Sequence, residues 1–274
     1  MKGGYVLRVF SLLSIDVALG AAVSAGVAMR LTGAPMDWKI LVAMLLTVWI
    51  IYAADHLMDI WKLVAPASSE RHLFFQRHAT MLTRIMAVIL FVDGVFVLWL
   101  PARVVVAGFV VGIIALVYLL IQHRLNWGKE ISGALLFTAG VWLPAISLRP
   151  SIIHVVDYFA IVIFFLTAFL NLLLFSRRDE LEDRADRRVS VATQFGRARL
   201  DIIIRVVWAL QFCVCMVGWY NFRATGVLWV LFAMNALLLM VDIFEPILNR
   251  RQIYRVAADA IFWAPSMVFL ILVR

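Results

Sequence analysis

Three aspartates, Asp179, Asp183 and Asp186, stand four and then three residues apart in the run SRRDELEDRADRRVSVATQFG, residues 176–196, the longest strongly charged stretch of the chain. On a helix that spacing puts the three carboxylates on one face. Carboxylates that close repel one another, so positive charge must sit among them. The interleaved Arg177, Arg178, Arg184, Arg187 and Arg188 are one source. A divalent cation is the other, and a hard ion such as Mg²⁺ takes oxygen ligands. A solvated loop between two helices, paired with its own arginines, fits the run equally well.

A second acidic pair, Asp55 and Asp59, lies four apart in YAADHLMDIWKLVAPASSERHLFFQRH. The pair sits near a helix C-terminus, where acids oppose the helix dipole. An unpaired carboxylate at a membrane boundary costs on the order of 1–3 kcal/mol, so partners are expected. His56, His72 and His78 lie nearby. A His/carboxylate metal site is one use for them; hydrogen bonding to phospholipid or to neighbours is the more ordinary one.

The elements that must position these residues are read from composition. The chain has 274 residues, 65% hydrophobic and 15% charged, whereas a soluble domain is about half apolar and a quarter charged. This is the composition of a multi-pass integral membrane protein. The net charge of +8 is spread over loops as anchors, which argues for membrane orientation and against nucleic acid. Cys213 and Cys215, one residue apart in an apolar run, make no disulfide framework.

A spanning helix needs about 20 mostly apolar residues. Nine segments qualify: 9–31, 39–61, 80–100, 102–121, 131–149, 155–175, 200–220, 225–243 and 253–273. The third and fourth, divided only around Pro101, are expected to form a tight helical hairpin. Residues 1–30 resemble a signal peptide but carry Asp16, and are read as an uncleaved first span. With the N-terminus cytoplasmic, only Arg30, Lys39, Arg103, Arg149, Arg223 and Arg274 fall on the outer side. That asymmetry supports nine spans. The polar loops 62–80, 122–130 and 176–199 are then all cytoplasmic. No linker divides residues 1–274, so one all-α domain is expected. Asp93 and Asp259 lie mid-helix and should face the bundle interior. Asp242 and Glu245 are expected to pair with Arg250 or Arg251.

Two carboxylate clusters at one mouth of a helical bundle suit a diphosphate held between divalent cations. Here the residues carry a resemblance. The chain resembles the UbiA superfamily of intramembrane prenyltransferases, which has nine transmembrane helices and aspartate-rich motifs after helices 2 and 6. Asp179-Glu-Leu-Glu-Asp183 resembles that family's D-x-x-x-D, and residues 187–196, RRVSVATQFG, resemble the segment that follows it. The first motif departs from N-D-x-x-D-x-x-x-D. With the last two acids on Asp55 and Asp59, Ile51 and Tyr52 stand where Asn and Asp are expected. The family's Y-x-x-x-K becomes Tyr118-Leu-Leu-Ile-Gln122, with His123, Arg124 and Lys129 nearby to supply charge.

The resemblance implies an all-α bundle that transfers a prenyl group from a polyprenyl diphosphate to a hydrophobic, by preference aromatic, acceptor in the lipid bilayer. It implies Mg²⁺ held by Asp179 and Asp183, with Asp186 as a third ligand, and a second ion on Asp55 and Asp59. Tyr118, Arg124, Lys129 and Arg178 are implied diphosphate contacts, and Asn171 a substrate contact. The alternative is a catalytically degenerate relative that binds or transports a lipid or isoprenoid, which the incomplete first motif favours.

Overall fold

The computed structural model describes residues 8–61, 63, 65–122, 125, 128–186, 188–222, 226–250 and 253–272. Among these, regular structure is entirely helical. A helical turn at 8–12 leads into α1 (Ile15–Leu31), α2 (Trp38–Trp61), α3 (Glu70–Val97), α4 (Ala102–Ile121), α5 (Gly128–Leu148) and α6 (Val155–Arg178). Two short helices follow, α7 (Glu180–Ala185) and α8 (Val191–Phe195). Then come α9 (Arg197–Phe222), α10 (Gly226–Ile243), the short α11 (Glu245–Arg250) and α12 (Tyr254–Leu272). Helices are the natural outcome for such apolar segments, because each satisfies its own backbone hydrogen bonds away from water.

Six of the described helices, α2 to α6 and α9, are long and apolar enough to cross a membrane. The segments expected as the first, eighth and ninth spans form α1, α10 and α12, of 17, 18 and 19 residues, at the short end of the spanning range.

α6 occupies the centre, packed on α5, α9 and α10. Its Ala160, Ile163, Leu170, Leu173 and Leu174 are fully buried. The Gln211 amide of α9 donates to Thr167 Oγ1 at 3.1 Å and to Asn235 Oδ1 at 2.6 Å, a polar tie across α6, α9 and α10. α1 is built from small residues and packs tightly against α12. A Cβ on Gly20 would stand 2.9 Å from the Phe262 Cβ, so only glycine allows the two backbones this approach.

Two expectations change. The polar loop 62–80 is half helix, because α3 starts at Glu70: Ser69 Oγ accepts from the His72 backbone N–H at 3.2 Å and caps it. A kink at His78 (φ −117°, ψ 17°) separates this first part from the apolar remainder. The α3–α4 turn at 98–101 is short, but the two helices diverge beyond it. α3 packs along α2, and α4 along α5, so the expected tight hairpin does not form. The space opened beside α4 belongs to a cavity.

Candidate functional site

A cavity of about 710 Å³ runs between α2, α4, α5 and α6, within the usual size of a small-molecule site. Its walls are apolar: Ile40, Met44 and Val48 on α2, Val105 and Leu116 on α4, Phe137 on α5 and Phe262 on α12. Its polar end is lined by Asp55, Lys129, Glu130, Asn171, Asp179, Asp183, Arg188, Arg255 and Asp259.

The second acidic motif is placed by the break between α6 and α7. Asp179 is the residue at which one helix stops and the next begins (φ −88°, ψ 5°). The Asp183 backbone N–H still donates to the Asp179 carbonyl at 2.8 Å, so the four-residue spacing keeps both carboxylates on the cavity side. Asp186 does not join them. α7 ends at Ala185, and Asp186 Oδ1 turns to accept the Ser68 backbone N–H at 2.9 Å. The expectation of three carboxylates on one face fails because the helix ends one residue before Asp186.

Each carboxylate of this motif meets an arginine. Asp179 accepts from Arg178 Nη1 at 2.6 Å and from Arg255 of α12. Arg255 also lies over the Phe175 ring, 5.2 Å from its centroid. Burial pushes the Asp179 carboxyl upward, but Arg255 and Arg178 outweigh it and hold it below the ordinary range. Asp183 lies 2.8 Å from Arg188 Nη2. Burial dominates there, and with the Asp179 charge it raises Asp183 despite Arg188. Arg184 pairs instead with Glu180 at 2.8 Å.

The segment 188–196 is fixed by its own caps. Ser190 and Thr193 cap α8 reciprocally, and the Val191 and Ala192 amides donate to Glu130 Oε1 at 2.8 Å and Ser176 Oγ at 3.1 Å. Gly196 ends the helix at φ 77°, a left-handed conformation that favours glycine.

The first acidic pair is split. Asp55 lines the cavity and accepts the amide of Gln122, the residue in the place of the family's lysine. Asp59 lies past the cavity wall, with its Oδ2 3.7 Å from His72 Nε2 and 3.8 Å from Arg188 Nη1. Arg188 therefore bridges the two motifs. His56 and His72 stack edge to face, 5.3 Å apart, and bond Ser14 and Ser69. His78 bonds the Phe74 carbonyl. These are the neighbour contacts expected of them.

Of the other residues singled out in the sequence, Tyr118 lines the cavity and donates to the Lys129 carbonyl at 3.1 Å. Asn171 lines it too, and its Oδ1 is buried without a hydrogen-bond partner. Arg178 does not line it; it holds Asp179 and lies over the Tyr254 ring. His123, Arg124 and Arg187 lie outside the described residues. Asp93 is buried and accepts from Thr47 Oγ1 at 2.7 Å. Asp259 is buried and lines the cavity. Asp242 and Glu245 both pair with Arg177, each at 2.6 Å, because α6 and α10 lie side by side; the expected partners, Arg251 and the side chain of Arg250, lie outside the described residues. Arg71 and Arg255 line the cavity without having been singled out in the sequence as cations of the site, and Arg188 stood there only as one of five interleaved arginines. Their signal was weak: each is one basic residue at the start of a helix or in a loop full of them.

As a metal site the two motifs differ. Among the described residues no three His, Cys, Asp or Glu side chains form a metal-binding group. Asp179, Asp183 and the unpartnered Asn171 Oδ1 nevertheless offer hard oxygen donors to the cavity, and suit one Mg²⁺. The first motif does not fit a second ion, since Asp59 stands outside the cavity lining and Ile51 and Tyr52 supply no carboxylate.

No family model and no curated protein matches the sequence. Solved structures do match in three dimensions. The apo UbiA homologue from Aeropyrum pernix K1 superposes with a TM-score of 0.66 at 15% identity, over 93% of this chain and 98% of that one. The UbiA homologue from Archaeoglobus fulgidus bound to DMAPP and Mg²⁺ gives 0.64 at 14% identity, over 94% and 99%. The same homologue bound to GPP and Mg²⁺ gives 0.64 at 14%, over 95% and 98%. A match over nearly the full length of both chains, at so low an identity, is a match of architecture, and this chain has the fold of the UbiA homologues.

Proposed function

We propose that the chain transfers a prenyl group from a polyprenyl diphosphate to a hydrophobic, by preference aromatic, acceptor inside the membrane. The observation that carries this reading is the cavity, with apolar walls and one end where Asp55, Asp179 and Asp183 meet Lys129, Arg188 and Arg255. A prenyl diphosphate has the same division, an apolar tail and a polyanionic head. The Archaeoglobus fulgidus homologue of this fold was solved with two such molecules, DMAPP and GPP, and with Mg²⁺.

In this reading Asp179 and Asp183, with Asn171, would hold one Mg²⁺, which would supply positive charge to the diphosphate and make it a better leaving group. Lys129, Arg188 and Arg255 contact its oxygens, guanidinium to phosphate being a charge-assisted, two-pronged match. Tyr118 fixes the backbone at Lys129. The walls on α2, α4 and α5 hold the tail and exclude water, which would otherwise capture the allylic cation. The allylic C–O bond breaks, diphosphate leaves with the electron pair, and the acceptor carbon attacks and later loses a proton. Residues 1–274 act as one transmembrane unit, with the N-terminus and both motif loops cytoplasmic. Reporter fusions at Arg149 and Arg188 should then give opposite signals, and identical signals would end that orientation.

The test is an assay of purified protein with labelled prenyl diphosphates of increasing chain length, Mg²⁺ and a lipid extract as acceptor source. Labelled prenylated product that disappears with Asp183→Asn is expected. The split first motif favours a second reading, a relative that binds or transports an isoprenoid without transferring it. Binding of the donor with no product from any extract would favour that reading.

A further inference from the structure

We infer that Arg188 is a resident cation of the diphosphate site, taking the place of the metal that the first acidic pair lacks the ligands to hold. This rests on the prenyl-diphosphate reading above. Ile51 and Tyr52 stand where two ligands of the first motif are expected. Of the two acids left, Asp55 is engaged by Gln122. Asp59 does not line the cavity at all. The pair that one helical turn should present together is divided between the cavity and the space behind it.

Arg188 stands in that gap. Its Nε and Nη2 lie 3.2 and 2.8 Å from Asp183 Oδ1, and its Nη1 lies 3.8 Å from Asp59 Oδ2. One guanidinium thus spans an acid from each motif, as a bridging ion would. It also lines the cavity. Its position is built rather than incidental. The Arg188 backbone N–H donates to the Asp183 carbonyl at 2.7 Å, and Thr193 Oγ1 donates to the Arg188 carbonyl at 3.2 Å. Arg188 Nη1 lies 2.8 Å from His72 Nε2, and Ser69 Oγ lies 2.5 Å from Nδ1 of the same ring. The same Nη1 lies 2.9 Å from Nδ1, so the guanidinium packs against the imidazole ring. His72 thereby helps to fix where the guanidinium stands. Arginine keeps its proton at any working pH, so this cation is permanent and needs no ion from solution. With Nε and one Nη2 hydrogen facing Asp183, it would meet a phosphate oxygen through its remaining Nη hydrogens.

The consequence is a count: one divalent cation per bound diphosphate instead of two. The probe is geranyl thiolodiphosphate, whose C–S bond resists ionisation, with Mn²⁺ as the reporting ion. Mn²⁺ retained by the detergent-solubilised full chain is counted by electron paramagnetic resonance at saturating analogue, and affinity is read by isothermal titration. One Mn²⁺ per chain is expected. Arg188→Gln should weaken the analogue at least about tenfold, a factor worth about 1.4 kcal/mol. Arg188→Lys keeps the charge but not the fork, and should lose less. Asp59→Asn should leave the count at one, since Asp59 only steadies Arg188. Two Mn²⁺ in the wild type, falling to one in Asp59→Asn, overturns the inference while leaving the transferase reading intact. Wild-type affinity in both Arg188 variants overturns it too, and guards against a variant that fails to fold. An analogue that binds the wild type at no Mn²⁺ concentration overturns the transferase reading, and the inference with it.

Discussion

Arg177 and Asp179 are two residues apart at the end of α6 and serve opposite sides of it. Arg177 turns outward to Asp242, Glu245 and Asp201, at 2.6, 2.6 and 3.7 Å, and none of these four lines the cavity. Asp179 turns inward to Arg255 and, with Asp183 and Arg188, lines it. The outer cluster sets three acids around one base, with Trp208 Nε1 donating to Asp242 at 3.1 Å. It is closed on itself and ties α6, α9, α10 and α11 together. The inner cluster leaves its charges facing an open space of about 710 Å³. One charge run therefore supplies both a clamp and a binding site. The difference lies in what faces it, helix or cavity.

The largest effect should come from breaking the clamp. Arg177→Met leaves two or three carboxylates together, largely buried and without their cation, and should cost about 3 kcal/mol. A fall in the thermal midpoint, with diphosphate-analogue affinity unchanged in the surviving folded protein, checks it. A loss of affinity at unchanged stability would erase the distinction between the clusters. Asp183→Asn should do the reverse. Burial and the neighbouring Asp179 disfavour the Asp183 carboxylate by more than Arg188 favours it, so the neutral amide should cost less stability than the Arg177 substitution. Binding of a prenyl diphosphate with Mg²⁺ should fall at least about tenfold. Tight binding that ignores both the metal and this substitution would end the transferase proposal.

A smaller effect should follow Arg255→Lys, which keeps charge beside Asp179 but loses the planar fork. A loss of several-fold in affinity is expected, on the order of 1 kcal/mol, with stability nearly kept. The smallest effect is in pH. Asp183 is raised in the folded state, so its contribution to stability is complete at acid pH. It is lost as pH rises from the ordinary carboxylate value through the folded one. Asp179 is lowered, so its contribution is present above the ordinary value and is lost as pH falls through the folded one. Melting wild type and Asp183→Asn side by side should therefore show the variant gaining on the wild type as pH increases. A constant gap would mean that Asp183 titrates normally.

Much of the architecture was legible because helix formation in apolar segments is local. Runs such as 39–61, 102–121 and 155–175 reappear as α2, α4 and α6 with ends shifted by a few residues. Asp259 and Asp93 read as inward-facing, and both are buried. Helix periodicity was enough to put Asp179 and Asp183 on one face, since it needs only the chain between them. The same rule failed at Asp186, where the helix stops, and at Glu70, where a serine cap starts a helix inside an expected loop.

The sequence by itself determined a helical membrane bundle, the apolar lengths of its helices, and which acids carry the charge at one end. Only the tertiary structure decided their partners. Arg255 reaches Asp179 from 76 residues away, and Gln122, just past the end of α4, reaches Asp55 from 67 residues later in the chain. Arg188, one of several neighbouring arginines, is singled out because α3 brings His72 against it. Charge pairs form wherever helix packing brings side chains within about 4 Å. That depends on which distant helices lie side by side, a relation no local spacing encodes.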